Sequence, residues 1–169
     1  TTLLLEFPNS EICVIDNASS DETVNLIHAS FSYVKVLRNS KNRGFAAAIN
    51  QGLSATSAPF VFWLNPDAEL VRGSFSSLLN FFDNHPDAGI AGLKILNPDG
   101  SRQFSCRSFP SFSTAFFNRY SILTRLFPKN PGSRQYLNAD LKDDHTAQVD
   151  WVSGAALIHR RQPAPELSA

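Results

Sequence analysis

The sequence predicts an α/β fold with a mainly parallel sheet flanked by helices. Three observations carry that prediction. Short apolar runs recur at 11–15, 34–37, 60–64 and 90–95. Between them lie stretches whose apolar residues repeat at helical spacing. Polar residues, Asp16 and Asn65-Pro66-Asp67, stand at the carboxyl ends of the first and third runs. A strand, helix, strand order is joined by right-handed crossovers that leave the strands parallel, and ligands of such sheets bind outside the strands' carboxyl ends.

Taken in order, Glu11-Ile12-Cys13-Val14-Ile15 is the first strand, closing at Asp16. Ser19 and Glu22 match the capping box that satisfies free amides at a helix start, and Val24, Ile27 and Phe31 follow at helical spacing. Val34 to Leu37 is the second strand. "RNSKNRG" (38–44) is a polar loop, and Phe45, Ile49 and Leu53 mark one face of the next helix. Phe60 to Leu64 is the third strand. Ser74 opens a helix whose Phe75, Leu78, Leu79 and Phe82 face inward, and Pro86 ends it. Ile90 to Ile95 is the fourth strand.

Beyond residue 96 the pattern changes. "NPDG" (97–100) is a turn, and "SRQFSCRSFP" (101–110) reads as extended. Residues 113–127 read as an amphipathic helix, a packing helix with Arg119 and Arg125 solvated in preference to one lying on a membrane surface. Residues 128–148 read as a mobile polar loop, "VDWVSGAALIHRR" (149–161) as an apolar strand, and 162–169 as an unstructured tail.

Composition narrows the function classes. The 169 residues suit one domain with a real core. Fifteen basic and fifteen acidic residues cancel, which argues against a nucleic-acid partner. No stretch reaches the roughly 20 apolar residues that cross a bilayer, and no signal-peptide pattern opens the chain. Cys13 and Cys106 sit in apolar stretches without a CxxC spacing, as buried thiols in a reducing compartment do. The four histidines show no metal-ligand spacing. With no methionine, and an opening "TTLLLEFP" that resembles the tail of a helix, the chain is expected to be a piece of something longer.

Motifs for a P-loop, a dinucleotide fingerprint or a nucleophile elbow are missing. What remains is a set of carboxylates and amides: Asp16, Asn17, Asp21, Asn42, Asn50, Asn65 and Asp67. Asp67 beside Asn65 suits a hard cation whose remaining oxygen ligands come from a diphosphate and water. Asp16 and Asn17 suit the polar edge of a nucleobase or a ribose. Gly44 stands at a loop-to-helix junction, where free amides and the helix dipole favour an anion, with Arg43 adding charge. Taken singly, Asn65-Pro66-Asp67 reads equally well as a turn, Asp16-Asn17 less readily as the lead into a helix cap, and Asn42 and Asn50 more readily as ordinary loop and helix residues. Their joint placement at strand ends favours a bound nucleotide diphosphate with a divalent metal.

"VIDNASSDET" (14–23), "NRGFAAAINQG" (42–52), "WLNPDAEL" (63–70), "GLKILNPDGSRQFSCRSFPS" (92–111) and "VDWVSGAALIHRR" stand in the order of the family-2 glycosyltransferases. The chain resembles most the bacterial rhamnosyltransferase-like branch, which acts in polysaccharide and lipopolysaccharide assembly, over about residues 3–161. The resemblance implies a GT-A fold, with residues 11–96 binding the nucleotide sugar and 97–161 on the acceptor side of one partial domain, 1–161. It implies that Asp16 contacts the base, that Asn17 and Asp21 support its loop, and that Asn42, Arg43, Gly44 and Phe45 line ribose and phosphate. Asn65-Pro66-Asp67 stands where the family carries DxD, so Asp67 is the implied ligand of Mg or Mn. Asp150, Trp151 and Gly154 fall on the acceptor side.

The implied reaction is inverting transfer of a sugar, rhamnose by likeness, from a dTDP- or UDP-linked donor to a glycan or lipid-linked acceptor. Expected with it are a cytoplasmic location at the inner face of the membrane and, through unpaired strand edges, a homo-oligomer. Two departures from the family pattern stand out. The opening strand with its "YN"-type turn is missing, and "QPAPELSA" replaces the Glu-Asp segment that supplies the base. The resemblance therefore nominates no catalytic base, and its alternative is a truncated, non-catalytic nucleotide-diphosphate-binding remnant. A phosphotransferase with a strand-end aspartate would need DxD after the first strand, and "DNASSD" lacks it.

Overall fold

The computed structural model describes residues 10–71, 74–110, 130–141 and 145–161. Its elements are β1 (Cys13–Asp16), α1 (Thr23–Ser30), β2 (Lys35–Arg38), α2 (Phe45–Ala55), β3 (Phe60–Leu64), α3 (Ser74–Asn84) and β4 (Ile90–Gly92). They continue with β5 (Ile95–Leu96), β6 (Arg102–Gln103), β7 (Cys106–Arg107), α4 (Pro131–Tyr136), β8 (Trp151–Val152) and β9 (Ala156–Arg160). The expected helix at 113–127 and the tail at 162–169 lie outside the described residues. The chain divides into two compact units. Among the described residues, one holds those up to Val61 with Leu70, Val71 and 74–79, and the other holds Phe62–Glu69 and those from Asn80 onward.

In the first unit β1 and β2 pair in parallel, with Cys13 opposite Lys35 and Asp16 opposite Arg38. The α1 crossover imposes this direction. α2 packs on β1, and its carboxyl end is closed by Lys35, whose Nζ donates to the Ala55 carbonyl at 2.7 Å. A cation there meets the unpaired carbonyls and the negative end of the helix dipole.

The sheet is mixed rather than mainly parallel, which corrects the expectation. Strand order in the largest sheet is β3-β9-β4, and β9 runs antiparallel to β4 with Ala91 opposite Ile158. The physical reason is β9 itself. It comes from the late part of the chain and inserts between the two strands joined by α3, so the crossover no longer sets the direction of β4's neighbour. β5–β6 and β7–β8 are short antiparallel pairs. β9 alternates at its start, with Ala156 and Ile158 buried, as a strand with one core-facing side does. Ile158 and Phe82 are the largest side chains fully withdrawn from solvent.

Four further elements differ from expectation. The capping box of Ser19 and Glu22 is not made. Ser19 N–H donates to Asp16 Oδ1 (3.0 Å), and Asp21 Oδ1 receives Thr23 N–H (3.1 Å) at the helix start. The fourth strand breaks at Leu93-Lys94 into β4 and β5, and "NPDG" turns β5 into β6 through Gly100 N–H on Asn97 O (2.9 Å). The polar stretch after residue 128 contains α4. Asn130 caps it by accepting Ser133 N–H (2.7 Å), and Pro131 sits in its first turn, the arrangement favoured at helix starts. The apolar run 149–161 is split at Ser153–Ala155 into β8 and β9.

Candidate functional site

β1 ends by burying a carboxylate. Asp16 is 4% exposed, an expensive position unless its oxygens are held. Oδ1 accepts Ser19 N–H, while Oδ2 lies 3.4 Å from Arg38 Nε without forming a hydrogen bond. The bonds from Ser19, then the Arg38 guanidinium, hold the Asp16 carboxyl below its ordinary range and so keep it ionised. Parallel pairing places Arg38 opposite Asp16. The result is an ionised carboxylate with one unbonded, buried oxygen at a strand's carboxyl end.

Asn17 ties this end to the loop before α2. Its Nδ2 donates to the Gly44 carbonyl (3.3 Å) and its Oδ1 receives Arg43 N–H (3.4 Å). Asn42 Oδ1 in turn receives Gly44 N–H at 2.8 Å. An anion at this junction would therefore meet the first-turn amides of α2 rather than that of Gly44. Gly44 has φ 82° and ψ 168°, a region open essentially to glycine alone. Thus Asn17, Asn42, Arg43 and Gly44 form one hydrogen-bonded group, which Asp16 adjoins along the chain. Phe45 follows it, 58% exposed. Asp21 stays apart at the start of α1. Leu37, Arg43, Asn50 and Gln51 are among the residues lining an open depression of about 480 Å³, within the size range of small-molecule clefts.

Sequence reasoning missed two members of this group. Asn39, 9% exposed, gives its N–H to the Asp16 carbonyl at 2.8 Å. Its Nδ2 donates to Asn17 Oδ1 (3.0 Å) and Gln51 Oε1 (2.9 Å), and its Oδ1 receives Gln51 Nε2 (2.8 Å). The signal was present. Asn39 follows β2 as Asn17 follows β1, and Gln51 is a long amide between the apolar Ile49 and Leu53.

The remaining candidates lie in the other unit. After β3, Ala68 N–H closes a turn on Asn65 O at 3.1 Å, and Asp67 is exposed at its tip. Asn65 N–H donates to Ala155 O at 2.9 Å. That bond joins the start of the Asn-Pro-Asp turn to the Ser153-Gly154-Ala155 turn. Asp150 accepts Phe109 N–H through Oδ2 (2.6 Å). Trp151 pairs with Arg107 across β7–β8, and the guanidinium sits 5.2 Å from its ring and 5.4 Å from that of Tyr136. Among the described residues no group of three His, Cys, Asp or Glu side chains could hold a metal alone. One exposed carboxylate beside an amide fits a hard cation that brings most of its own oxygen ligands.

A parallel β-pair with an ionised aspartate at its end, and a glycine loop leading into a helix, is an α/β arrangement of the kind that takes its ligands outside strand ends. Family comparison makes the assignment specific. The model of Glycosyl transferase family 2 matches residues 2–143, and the chain belongs to that family. It is 30% identical over 171 aligned positions to an N-acetylglucosaminyl-diphospho-decaprenol L-rhamnosyltransferase of Mycobacterium tuberculosis. That alignment covers 95% of this chain and 54% of the relative, so the chain spans about half of that protein's length. It is also 30% identical over 94 residues to a poly-beta-1,6-N-acetyl-D-glucosamine synthase of Staphylococcus epidermidis, covering 53% of this chain and 22% of the synthase. No helix among the described residues is long and apolar enough to cross a membrane.

Proposed function

We propose that the protein transfers a sugar, with inversion, from a nucleoside diphosphate sugar to a hydroxyl of a glycan or lipid-linked acceptor. In this reading the fold is GT-A, residues 11–96 bind the donor, and residues 97–161 face the acceptor. The observation that carries it is the unbonded oxygen of ionised, buried Asp16, tied through Asn17 to the Gly44 loop. A uracil or thymine ring offers one N–H between two carbonyls, and a carboxylate oxygen beside a guanidinium complements that edge. Arg43, Gly44 and Phe45 are then the ribose and phosphate wall. Rhamnose as the sugar, and a lipid-linked diphosphate as the acceptor, are supported by likeness to the mycobacterial relative, whose name carries both.

Asp67 would hold a divalent cation, Mg or Mn, with Asn65 beside it. Bound there, the ion would neutralise the departing diphosphate. The chain's own contributions are distinct from that. Asp16 selects and orients the base, Asn17 fixes the loop, and the β8–β9 turn with Asp150, Trp151 and Gly154 presents the acceptor hydroxyl. Calorimetry with UDP and dTDP, each with and without Mn²⁺, tests the reading. Binding of at least one nucleotide, lost in Asp16→Ala, is expected, and an absence of binding by both would overturn it.

A further inference from the structure

The amide pair of buried Asn39 and half-buried Gln51 touches no proposed ligand atom, yet it sits where three chain segments meet. Every polar atom of the Asn39 side chain is spent on Asn17 and Gln51. Gln51 belongs to α2, Asn17 to the end of β1, and Asn39 to the end of β2. We infer that Asn39, anchored to α2 by Gln51, is a positioning residue that locks the amide of Asn17 and through it the Arg43-Gly44 loop. This rests on the nucleotide-binding reading above and names which part of that site the pair controls.

The orientation argument is one of donors and acceptors. An amide has a donor end and an acceptor end, and swapping them reverses every bond it makes. Asn39 Nδ2 donates to Asn17 Oδ1, so Asn17 must turn its Nδ2 the other way, where it meets the Gly44 carbonyl. The same orientation leaves Oδ1 available to Arg43 N–H. Gln51 closes a reciprocal pair with Asn39, Nε2 donating to Asn39 Oδ1 and Oε1 accepting from Asn39 Nδ2. That pair closes equally well with both amides turned over, so its direction is set through Asn17 by the backbone Arg43 N–H and Gly44 carbonyl. Asn39 in return locks Asn17 and the loop in that one arrangement and anchors them to α2. Asp16 is reached separately, through the backbone N–H of Asn39, which a side-chain change leaves intact.

Asn39→Asp is the discriminating substitution, since it keeps the shape and removes only the donor end. A carboxylate at 39 repels Asn17 Oδ1, so the Asn17 amide turns over and sets acceptor against acceptor at Gly44. In the nucleotide-free protein the backbone amide resonances of Arg43 and Gly44 are expected to shift. In titrations, affinity for UDP or dTDP should fall about tenfold while affinity for uridine or thymidine, held by Asp16, changes less than about twofold. Gln51→Glu keeps the acceptor for Asn39 Nδ2 but sets a carboxylate oxygen against Asn39 Oδ1; since Asn17 keeps its donor from Asn39, it should lower diphosphate affinity less than Asn39→Asp does. A merely structural role would lower nucleoside and nucleotide binding together. Unmoved Arg43 and Gly44 resonances, or equal losses for nucleoside and nucleotide, overturn the inference. Failure of the unsubstituted protein to bind any nucleotide, with the loop resonances still shifted by Asn39→Asp, would instead remove the nucleotide reading and leave the positioning intact.

Discussion

Replacing Gly44 with alanine isolates a backbone requirement from a steric one. A Cβ built at Gly44 meets nothing within 4 Å, so the methyl group itself is tolerated. What opposes it is φ 82° with ψ 168°. For a residue with a side chain that conformation costs about 1–3 kcal/mol. Relaxation offers an escape only by breaking what the conformation holds, Gly44 N–H on Asn42 Oδ1 (2.8 Å) and Asn17 Nδ2 on Gly44 O (3.3 Å). Neutral hydrogen bonds contribute about 0.5–1.5 kcal/mol each, and the second is long and exposed, so relaxation costs roughly 1–2 kcal/mol. The cheaper route prevails, and Gly44→Ala should lose about 1–2 kcal/mol. At the 2–4 °C per kcal/mol typical of chains near this size, Tm falls by about 2–8 °C. Urea unfolding followed by circular dichroism gives the measurement, with Gly89→Ala as the internal standard. Gly89 also has open space around a Cβ but no left-handed φ, so its alanine variant should be neutral or more stable by up to about 1 kcal/mol. Equal stability of Gly44→Ala and the parent, or equal losses in the two variants, would refute the reasoning.

Three further outcomes follow from the same geometry. Hydrogen bonds from Ser19, Thr23 and Ser101 hold the carboxyls of Asp16, Asp21 and Asp99 below the ordinary 3.8; their stabilisation is complete above about pH 4 and is lost as pH falls through the folded values. Urea midpoints should therefore drop as pH falls from 4 toward 2, and a flat profile there would contradict the pairing. Phe82, 1% exposed with the Arg160 guanidinium 5.5 Å from its ring, should cost about 3–5 kcal/mol on replacement by alanine; a loss below about 1 kcal/mol would remove it from the core. Asp67→Ala should leave stability within about 0.5 kcal/mol, since the carboxylate is exposed, while abolishing the Mn²⁺-dependent part of nucleotide binding. Metal dependence surviving in that variant would place the cation elsewhere.

Local features of this fold were legible in the sequence because local chemistry decides them. The alternation of β1, α1, β2, α2, β3 and α3 follows apolar spacing and turn residues, and the structure keeps it. The strand-end position of Asp16 follows from the same pattern. α4 was also written locally, in Asn130 followed by Pro131, but the polar composition around it masked the cap. Partners distant in sequence were not legible. Nothing in "GAALIHRR" says that this strand lies between β3 and β4, because its neighbours are chosen by packing across more than sixty residues. Ser19 shows the same competition at short range: its backbone amide serves the Asp16 carboxylate rather than the helix. Asn39 and Gln51 were missed because an amide's role depends on which end faces which neighbour, and spacing carries no such information.

The buried polar residues separate folding needs from ligand needs. Among the described residues Asp16, Asn39 and Asn130 are the buried polar or charged ones. Asn130 is accounted for by α4, since its Oδ1 takes Ser133 N–H and a helix start otherwise leaves that amide unpaired. Asp16 likewise takes a loop amide, Ser19 N–H, on Oδ1, but it also buries a second oxygen that the fold does not use. A buried carboxylate with a partner tends to stabilise no more than an apolar residue of similar size would, and Asp16 leaves one oxygen without a hydrogen bond. Asn39 is fully bonded, but only to other amides that it also locks. Both stand at the carboxyl ends of paired parallel strands, joined by the bond from Asn39 N–H to the Asp16 carbonyl. Stability accounts for Asp16 Oδ1, which holds Ser19 N–H, but not for the buried Oδ2. Retaining a charge and an oriented amide there is explained when the open oxygen of Asp16 meets a donor from outside the chain, and Asn39 keeps the adjoining loop ready for the rest of that ligand.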